Sequence, residues 1–209
     1  DPCQLRHSTR VAAYARAADP RPLSEVGLVA KVVRDVNRIP KALGQLNRMR
    51  VRRSEVGVFE DAPSLVNIAA MNEFGVDIPV DAKVNRHLRM LAREHGAPTE
   101  TLPREGERLR VPERSFLRAT MDEHENDVVE AAPEQIVAVM EGEKDAYQAM
   151  MAIGRVLQEA VIERVARGTD LAPNDPFTIA LKGHARPLIG KTGVLETPQG
   201  IRLRVVRRQ

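Results

Sequence analysis

The strongest helical pattern in the sequence is EKDAYQAMMAIGRVLQEAVIERVAR, which covers residues 143–167. Apolar or small side chains recur along it every three to four residues, as in an amphipathic helix. The members of this face are Tyr147, Met150, Met151, Gly154, Leu157, Val161 and Val165. Gly168 follows directly, and glycine is typical of a helix end because it adopts the left-handed conformation without strain. The stretch predicts a long helix whose apolar face other elements must cover.

Further segments on both sides of this stretch also predict helices. Residues 24–49 carry valines and leucines at helical spacing, with Pro40 kinking or dividing the segment. Ser64 is a candidate N-cap for a helix over 65–74 that ends at Gly75. The remaining predicted helices are 83–95, ended by Gly96, and a segment from Ser115 into an acidic stretch that Pro133 ends or kinks.

Short alternating segments predict strands between and after these helices. They are Glu55–Phe59, Val76–Val80, Leu109–Val111, Phe177–Leu181 and Ile201–Val206, and a Pro/Gly-rich loop or hairpin at about 96–113 contains a turn at Glu105-Gly106. Scattered strands among separate helices predict an α+β fold with a small antiparallel sheet packed against several helices. We expect an extended N-terminal arm over residues 1–22 and a single α+β domain over 23–209.

The composition excludes several classes of protein. Of the 209 residues 43% are hydrophobic and 29% charged, which is typical of a folded chain. One cysteine, Cys3, excludes an intrachain disulfide framework and a Cys-rich zinc module. Aromatic residues make up only 3%, so the sequence offers no stacking platform for single-stranded nucleic acid. No apolar run reaches the roughly 20 residues of a membrane span, so we expect no membrane partner.

Charge is unevenly distributed although the net charge is only +3. Residues 31–53 hold eight bases and one acid, residues 119–147 hold nine acids and one base, and the last ten residues add four arginines. This asymmetry favours a charged interface between subunits or with a partner, and ordinary solvated faces are the alternative. The candidate interface residues are Arg48, Arg50, Arg52 and Arg53 on the basic side and Asp122, Glu123, Glu125 and Asp127 on the acidic side.

No motif of the sequence assembles a catalytic or metal site. Gly190-Lys191-Thr192 resembles the end of a phosphate-binding loop, but Ala185 stands where its first glycine is needed and Pro198 soon follows. The five histidines are dispersed, and no serine lies in a nucleophile elbow. We therefore expect no catalytic residue, no metal ligand and no cofactor, and a protein that is not an enzyme.

Five local patterns occur in an order that is familiar from one protein family. They are Val56-Gly57-Val58; Ile68 to Gly75, which ends in Asn72-Glu73-Phe74-Gly75; Ile78 to Lys83; Val111-Pro112-Glu113-Arg114-Ser115-Phe116-Leu117-Arg118; and Ala180 to Gly183 with Pro187-Leu188-Ile189-Gly190-Lys191-Thr192-Gly193-Val194-Leu195. Over roughly residues 54–206 the chain resembles the neck or tail-completion proteins of tailed bacteriophages, including the virion morphogenesis proteins. It departs from them around Thr192-Gly193, where Gly190-Lys191 precede and Glu196-Thr197-Pro198 follow.

The resemblance implies a structural role at the head–tail junction of a virion. It implies a ring of six copies that completes the tail end or joins it to the connector and leaves a channel for DNA. The implied partners are connector or stopper proteins, tail tube or tail terminator proteins, and double-stranded DNA that passes without sequence-specific contact. The implied location is the virion, with assembly in the host cytoplasm. The motif residues with an implied structural role are Glu73, Phe74, Gly75, Pro112, Arg114, Phe116, Leu117, Arg118, Pro187, Leu188, Thr192 and Gly193.

Two other functions stay open from the sequence. A basic DNA-binding accessory or assembly protein would use residues 31–53 on DNA phosphates, with a salt-dependent affinity. A nucleotide-dependent enzyme would use Gly190, Lys191 and Thr192, and would lose nucleotide binding on Lys191→Ala.

Overall fold

The structure is a computed structural model that describes residues 37–100, 102–190 and 193–208. The chain divides into two units, Asp1–Pro40 and Lys41–Gln209. The predicted arm over 1–22 and the first part of the predicted helix over 24–49 lie outside the described residues. The described helices and strands belong to the second unit, except that the first helix begins at Ile39.

The described residues form an α+β fold of six α-helices and four short strands. In chain order these are α1 Ile39–Arg50, β1 Arg52–Gly57, α2 Pro63–Phe74, β2 Val76–Pro79, α3 Ala82–His95, β3 Arg108–Val111, α4 Arg118–Glu141, α5 Ala146–Arg167, α6 Pro176–Lys182 and β4 Arg202–Arg207, with a 3₁₀ helix at Val194–Glu196 before β4. The expected α+β class is confirmed, and the strands form two small antiparallel sheets where one was expected.

The strands form two separate antiparallel pairs. β1 pairs with β4, so that Arg52 lies opposite Arg207 and Gly57 opposite Arg202. β2 pairs with β3, so that Val76 lies opposite Val111. The first pair joins strands that are far apart in the chain. β2 and β3 are closer in the chain, and the segment that connects them contains α3.

α5 is the central helix of this unit. Its Asp145 cap forms a capping box with Gln148, and Gly168 ends it in the left-handed conformation. One side of α5 packs against α4, and another packs against β1 and β4. Val161 and Val165 are buried with Phe116 and Ile201 in the main apolar core. The long helix predicted from the sequence is therefore present, and its apolar face is covered toward its C-terminal end, whereas Tyr147 at its start is exposed.

Several local predictions were wrong in informative ways. Residues 177–181 are helical in α6 and do not form a strand, because Asp175 accepts a hydrogen bond from the Thr178 amide and Pro176 occupies the first turn. The cap of α2 is Ala62 and the helix already begins at Pro63, so Ser64 lies inside it.

Of the two prolines expected to kink, divide or end helices, Pro133 does not end one, whereas Pro40 lies at the start of α1, after the non-helical Asn37 and Arg38. Pro40 lies in the first turn of α1, where its missing N–H costs no intrahelical bond. α4 continues through Pro133 to Glu141. An interior proline costs about 3 kcal/mol, and the burial of Ala138 and Val139 with the packing of α4 against α5 offsets that cost.

Candidate functional site

The Glu73 carboxylate forms the N-terminal cap of α4 from a distant part of the chain. The cap residue of α4 is Leu117, whose side chain cannot accept a hydrogen bond. Instead Glu73 accepts backbone hydrogen bonds from Phe116 and Leu117 at 2.9 Å and from Arg118 at 3.0 Å. It also accepts one from the Ser115 hydroxyl at 2.9 Å. Amides at the start of a helix need such partners, and their positive dipole end favours a carboxylate.

The same contacts keep Glu73 ionised although only 3% of the residue is exposed. Burial raises the pKa of a carboxyl group, because it penalises the charged form. Here the hydrogen bonds from Leu117, Arg118 and Ser115 outweigh burial and hold the pKa of Glu73 below its ordinary value. The charge of Glu73 is thus part of the folded structure.

Arg118 adds the cation of this arrangement. Its Nε lies 3.1 Å from Glu73, and its Nη2 donates to the Glu73 carbonyl and to the Glu113 carboxylate. Its guanidinium carbon lies 4.8 Å from the centre of the exposed Phe74 ring. Arg118 therefore connects the end of α2 to the start of α4.

Gly75 permits the close approach of these two segments. Its φ is +67°, a conformation that favours glycine. A Cβ at this position would lie 3.0 Å from the Glu113 amide nitrogen and 3.1 Å from the Val111 carbonyl oxygen. Those neighbours are backbone atoms and cannot rotate away, so the chain next to Pro112 passes where only glycine leaves room.

Arg114 is the second buried ion of the region, and its hydrogen-bond partners are neutral. It donates to the carbonyls of Ala172 and Pro173 and to the side-chain oxygens of Asn72 and Asn174. Burial lowers the pKa of Arg114, opposed by the nearby Asp175 charge. These partners fix the loop before α6 against the segment that leads into α4.

Asn174 extends the connection to the last of the sequence motifs. Its Nδ2 donates to the carbonyls of Ala185 and Arg186, directly before Pro187. Leu188 is buried in the main core with Phe116. Together these contacts form one continuous set that we call the Glu73–Arg114 network. Its members are Asn72, Glu73, Arg114, Ser115, Phe116, Leu117, Arg118 and Asn174.

The structure describes only part of the last motif, where the sequence departs from the family pattern. Leu188 has a φ of +59°, and Gly193, with a φ of +60°, caps the 3₁₀ helix Val194–Glu196. Thr192 lies outside the described residues, as does Lys191. A helix that continues after a phosphate-binding loop would begin here, and the three residues of the 3₁₀ helix are too short for that role.

A cleft of about 390 Å³ borders the network. Its walls include Leu65, Ile68 and Phe177, and Arg114 and Lys182 line it as well. Burial, together with the charge of Arg114, lowers the pKa of Lys182. The cleft thus combines apolar walls with three cations, since Arg110 also lines it, and with the Asp175 carboxylate.

The charged residues predicted as an interface do not meet one another within the described chain. Arg48 and Arg50 lie at the end of α1, Arg52 and Arg53 lie in β1, and the four acids lie in the first half of α4. Two of those acids have partners within the chain: Glu123 pairs with the buried Arg164 at 2.6 Å, and Asp127 contacts His124 at 2.6 Å. Of the four arginines only Arg53 is in an ion pair with a described residue, namely Glu55.

The structure joins two basic segments that the sequence keeps far apart. The pairing of β1 with β4 places Arg53 and Glu55 beside Val206 and Arg204, and Glu55 lies 2.7 Å from both arginines. Arg204 and Arg53 hold the pKa of Glu55 below its ordinary value. We call this pair of strands the basic ribbon.

The ribbon continues toward Phe59. The guanidinium carbon of Arg204 lies 4.0 Å from the Phe59 ring centre and that of Arg202 lies 5.3 Å away. Arg202 also pairs with Asp61. Acidic partners thus offset part of the ribbon's charge, while Arg52, Arg207 and Arg208 form no ion pair with any described residue.

The described residues contain no group of three or more His, Cys, Asp or Glu side chains placed to hold a metal ion. In that part of the chain, no helix is both long and apolar enough to cross a membrane.

No protein-family model, curated protein sequence or solved structure matches the chain. The class that the fold defines is therefore an α+β protein built around the Glu73–Arg114 network, and the phage-neck resemblance stays a hypothesis.

Sequence reasoning identified all three charged members of the network but missed its two asparagines. Glu73, Arg114 and Arg118 were singled out as motif residues, whereas Asn72 and Asn174 were not. No local pattern marks a buried asparagine, because its partners come from distant segments. The sequence Asn174-Asp175-Pro176 does carry one usable signal, since an aspartate before a proline is typical of a helix start.

Proposed function

We propose that this chain is a structural subunit of the head–tail junction of a tailed bacteriophage, where copies of it assemble as a ring around a channel for DNA. The role is structural rather than catalytic. The ring completes the tail end or joins it to the connector, and its subunits meet through two different surfaces, as closed rings require.

The observation that supports this proposal is the convergence of the motifs in the Glu73–Arg114 network. The motif that ends in Glu73-Phe74-Gly75 and the motif Val111–Arg118 contact each other through Glu73 and Arg118. Asn174, which accepts from Arg114, also donates to the Ala185 and Arg186 carbonyls directly before the Pro187-Leu188 motif. The contact of these motifs is what a common fold core predicts.

Electron cryo-microscopy of particles from a phage that encodes this chain tests the proposal. We expect density at the head–tail junction, with ring symmetry, into which residues 41–208 fit as one subunit. The matched control is a particle population assembled without the chain, which should lack that density. A chain absent from finished particles, or located in the capsid shell, would contradict the proposed role.

A second candidate function rests on the basic ribbon. A DNA-binding accessory protein would use the arginines that β1 and β4 bring together, and its affinity for duplex DNA would fall steeply with salt. Substituting Arg207 and Arg208 by Ala would reduce the salt dependence by about one charge per lost phosphate contact. Substituting Arg93 and Arg104, which are exposed elsewhere, is the matched control.

The two candidates give different results in that binding assay. A neck subunit that lets DNA pass binds duplex weakly, with no preference among sequences. Tight salt-dependent binding by the isolated chain, lost with the ribbon arginines and retained with the control pair, would favour the accessory protein.

A further inference from the structure

The second half of α4 carries an exposed apolar face. Val129, Ile136, Val137 and Met140 are exposed at 63%, 38%, 51% and 54%, and Pro133 between them is exposed as well. Their spacing of four, three, one and three residues places them on one side of the helix. The buried side chains Gln135, Ala138 and Val139 lie on the opposite side. We call the exposed residues the α4 stripe.

This stripe differs from ordinary surface apolar residues by being continuous. Single exposed apolar side chains are normal, whereas a contiguous apolar patch marks an interaction site. The stripe extends over 12 residues of one helix, Val129 to Met140, or about 18 Å at 1.5 Å per residue. A partner helix of similar length would cover it.

α1 has the matching length and is itself incompletely covered. It spans 12 residues and none of them is buried. Ile39 and Leu43, one turn apart, are exposed at 66% and 55%. Within its own chain α1 contacts the start of α5, where Gln45 accepts a hydrogen bond from the Ala146 amide. Leu43 and the α4 stripe are therefore both exposed, whereas Ala42, Leu46 and Met49 of α1 are half-buried.

The exposed charges of these two helices are opposite in sign, and on α1 only Arg50 lies on the same side as Ile39 and Leu43, with Lys41 and Arg48 on the other exposed edge. α1 contains Lys41, Arg48 and Arg50 and no acid. From Val129 to Glu141, α4 contains Glu130, Glu134 and Glu141 and no base, and these three fall on one edge of the stripe. None of these six charges is in an ion pair with a residue that the structure describes. Opposite charges on the two helices favour their association and fix its register.

We propose that the α4 stripe of one copy binds α1 of a second copy, with the bases of α1 beside the glutamates of α4. This inference rests on the proposed function and adds which two surfaces of neighbouring subunits meet. The interface is heterologous, because α1 and α4 are different surfaces of each copy. Repeated copies therefore form a ring or an open chain, and not a closed symmetric dimer.

Charge reversal on each side of the interface, in the full-length chain, tests the pairing. The α1 variant carries Arg48→Glu and Arg50→Glu, and the α4 variant carries Glu130→Lys and Glu134→Lys. Sedimentation velocity measures self-association of each variant and of their equimolar mixture. We expect each variant alone to associate at least about tenfold more weakly than the wild type, because like charges now face one another. The mixture regains wild-type association, since both of its contacts again pair opposite charges.

Two controls separate this interface from a general charge effect and from misfolding. Glu94→Lys with Glu105→Lys moves the same charge change to exposed positions outside α4. This control should associate like the wild type, and mixing it with the α1 variant should not restore binding. For the apolar part, Val137→Ser weakens association while the equally exposed Met90→Ser does not. Circular dichroism checks that every variant folds.

Restored association in the mixture, absent with the control pair, supports the inference. Association like the wild type in both variants, or no gain on mixing, would overturn it. So would loss of association by Val137→Ser without loss by the α1 variant, since another partner would then cover the stripe. A wild-type chain that stays monomeric at its highest soluble concentration would overturn it too. The position of the chain in virions tests the proposed function separately in each case.

Discussion

At the scale of single residues, the described fold depends on buried ions that are held by hydrogen bonds. The Glu73 carboxylate accepts hydrogen bonds at the start of α4, although Glu73 lies 43 residues before Phe116 in the chain. A buried polar group is tolerated only when its partners are present, and Glu73 and Arg114 each have several. Removing one such partner therefore costs more than removing a surface contact.

Replacing Glu73 by Gln should lower the free energy of unfolding by about 2–4 kcal/mol at neutral pH. The amide of glutamine has one acceptor oxygen and one donor nitrogen, whereas every neighbour of Glu73 here is a donor. Urea unfolding followed by circular dichroism measures the difference. Ser115→Ala, which removes only one of these donors, should cost about 1 kcal/mol. Equal stabilities for the wild type and Glu73→Gln would contradict this role.

The effect of Glu73 should depend on pH in a definite direction. Its pKa in the folded chain lies below the ordinary value of 4.5, so its stabilising effect is complete above that value. As the pH falls through the folded-state pKa, the carboxyl becomes protonated and the effect is lost. The stability difference between the wild type and Glu73→Gln should therefore shrink below about pH 4.5 and stay constant from pH 6 to 8, roughly the range in which no carboxyl titrates.

Gly75→Ala should destabilise the protein more than Gly96→Ala does, although both glycines have nearly the same φ, +67° and +65°. At Gly96 nothing lies within 4 Å of the added Cβ, so only the conformational strain remains, about 1–2 kcal/mol. At Gly75 backbone atoms at 3.0 and 3.1 Å must also move. The two glycines differ in ψ, 163° at Gly75 and 26° at Gly96, so the difference measured by thermal unfolding combines backbone strain with this steric part. Equal melting temperatures would show that the α2–α4 approach adjusts freely.

At the scale of elements, local signals predicted most helices, and contacts between distant segments decided the rest. α3 and α5 have aspartate caps and end at glycines, and the sequence predicted them almost at their observed limits. α6 was predicted as a strand because its apolar residues alternate, while its Asp175-Pro176 start was overlooked. α4 passes through Pro133 because its contacts with α5 outweigh a local penalty. Neither the β1–β4 register nor the Glu73–Arg114 network has a local signal in the sequence.

The contact of α5 with the basic ribbon has a specific steric requirement at Gly154. A Cβ there would lie 2.5 Å from Leu203 Cδ1 and 2.8 Å from Ser54 Cβ. Ser54 Oγ also donates to the Met150 carbonyl at 2.6 Å, which holds β1 close to α5. We expect Gly154→Ala to lower the free energy of unfolding by about 1–2 kcal/mol, since overpacking outweighs the gain in helix propensity.

Gly44→Ala is the matched comparison for that substitution. Gly44 lies inside α1, and nothing is within 4 Å of its added Cβ. Only helix propensity changes there, so this variant should be more stable by about 0.5–1 kcal/mol. Chemical unfolding of the two variants should therefore give shifts of opposite sign. A stabilising Gly154→Ala would mean that α5 and the ribbon are not closely packed.

At the scale of the whole molecule, the pairing of β1 with β4 joins the first strand of the described chain to its last. All six residues of β4 pair with β1, and Leu203 packs next to Gly154 on α5. Contacts this distant in sequence cost loop-closure entropy before they contribute stability. The main apolar core, which includes Val56 and Ile201 beside the two strands, is therefore complete only when the end of the chain is in place.

Deleting residues 202–209 should consequently destabilise the whole unit and not just its edge. The loss includes six backbone pairings and the cover over Val56 and the middle of α5. Because domains of this size have a stability of about 5–15 kcal/mol, we expect a loss of several kcal/mol that leaves the shortened chain largely unfolded at 37 °C or thereabouts. Limited proteolysis and thermal unfolding measure this, with deletion of Gln209 alone as the control. A shortened chain that melts cooperatively at the wild-type temperature would show that β4 is an appendage, and the basic ribbon would then be free to separate from the core on binding a partner.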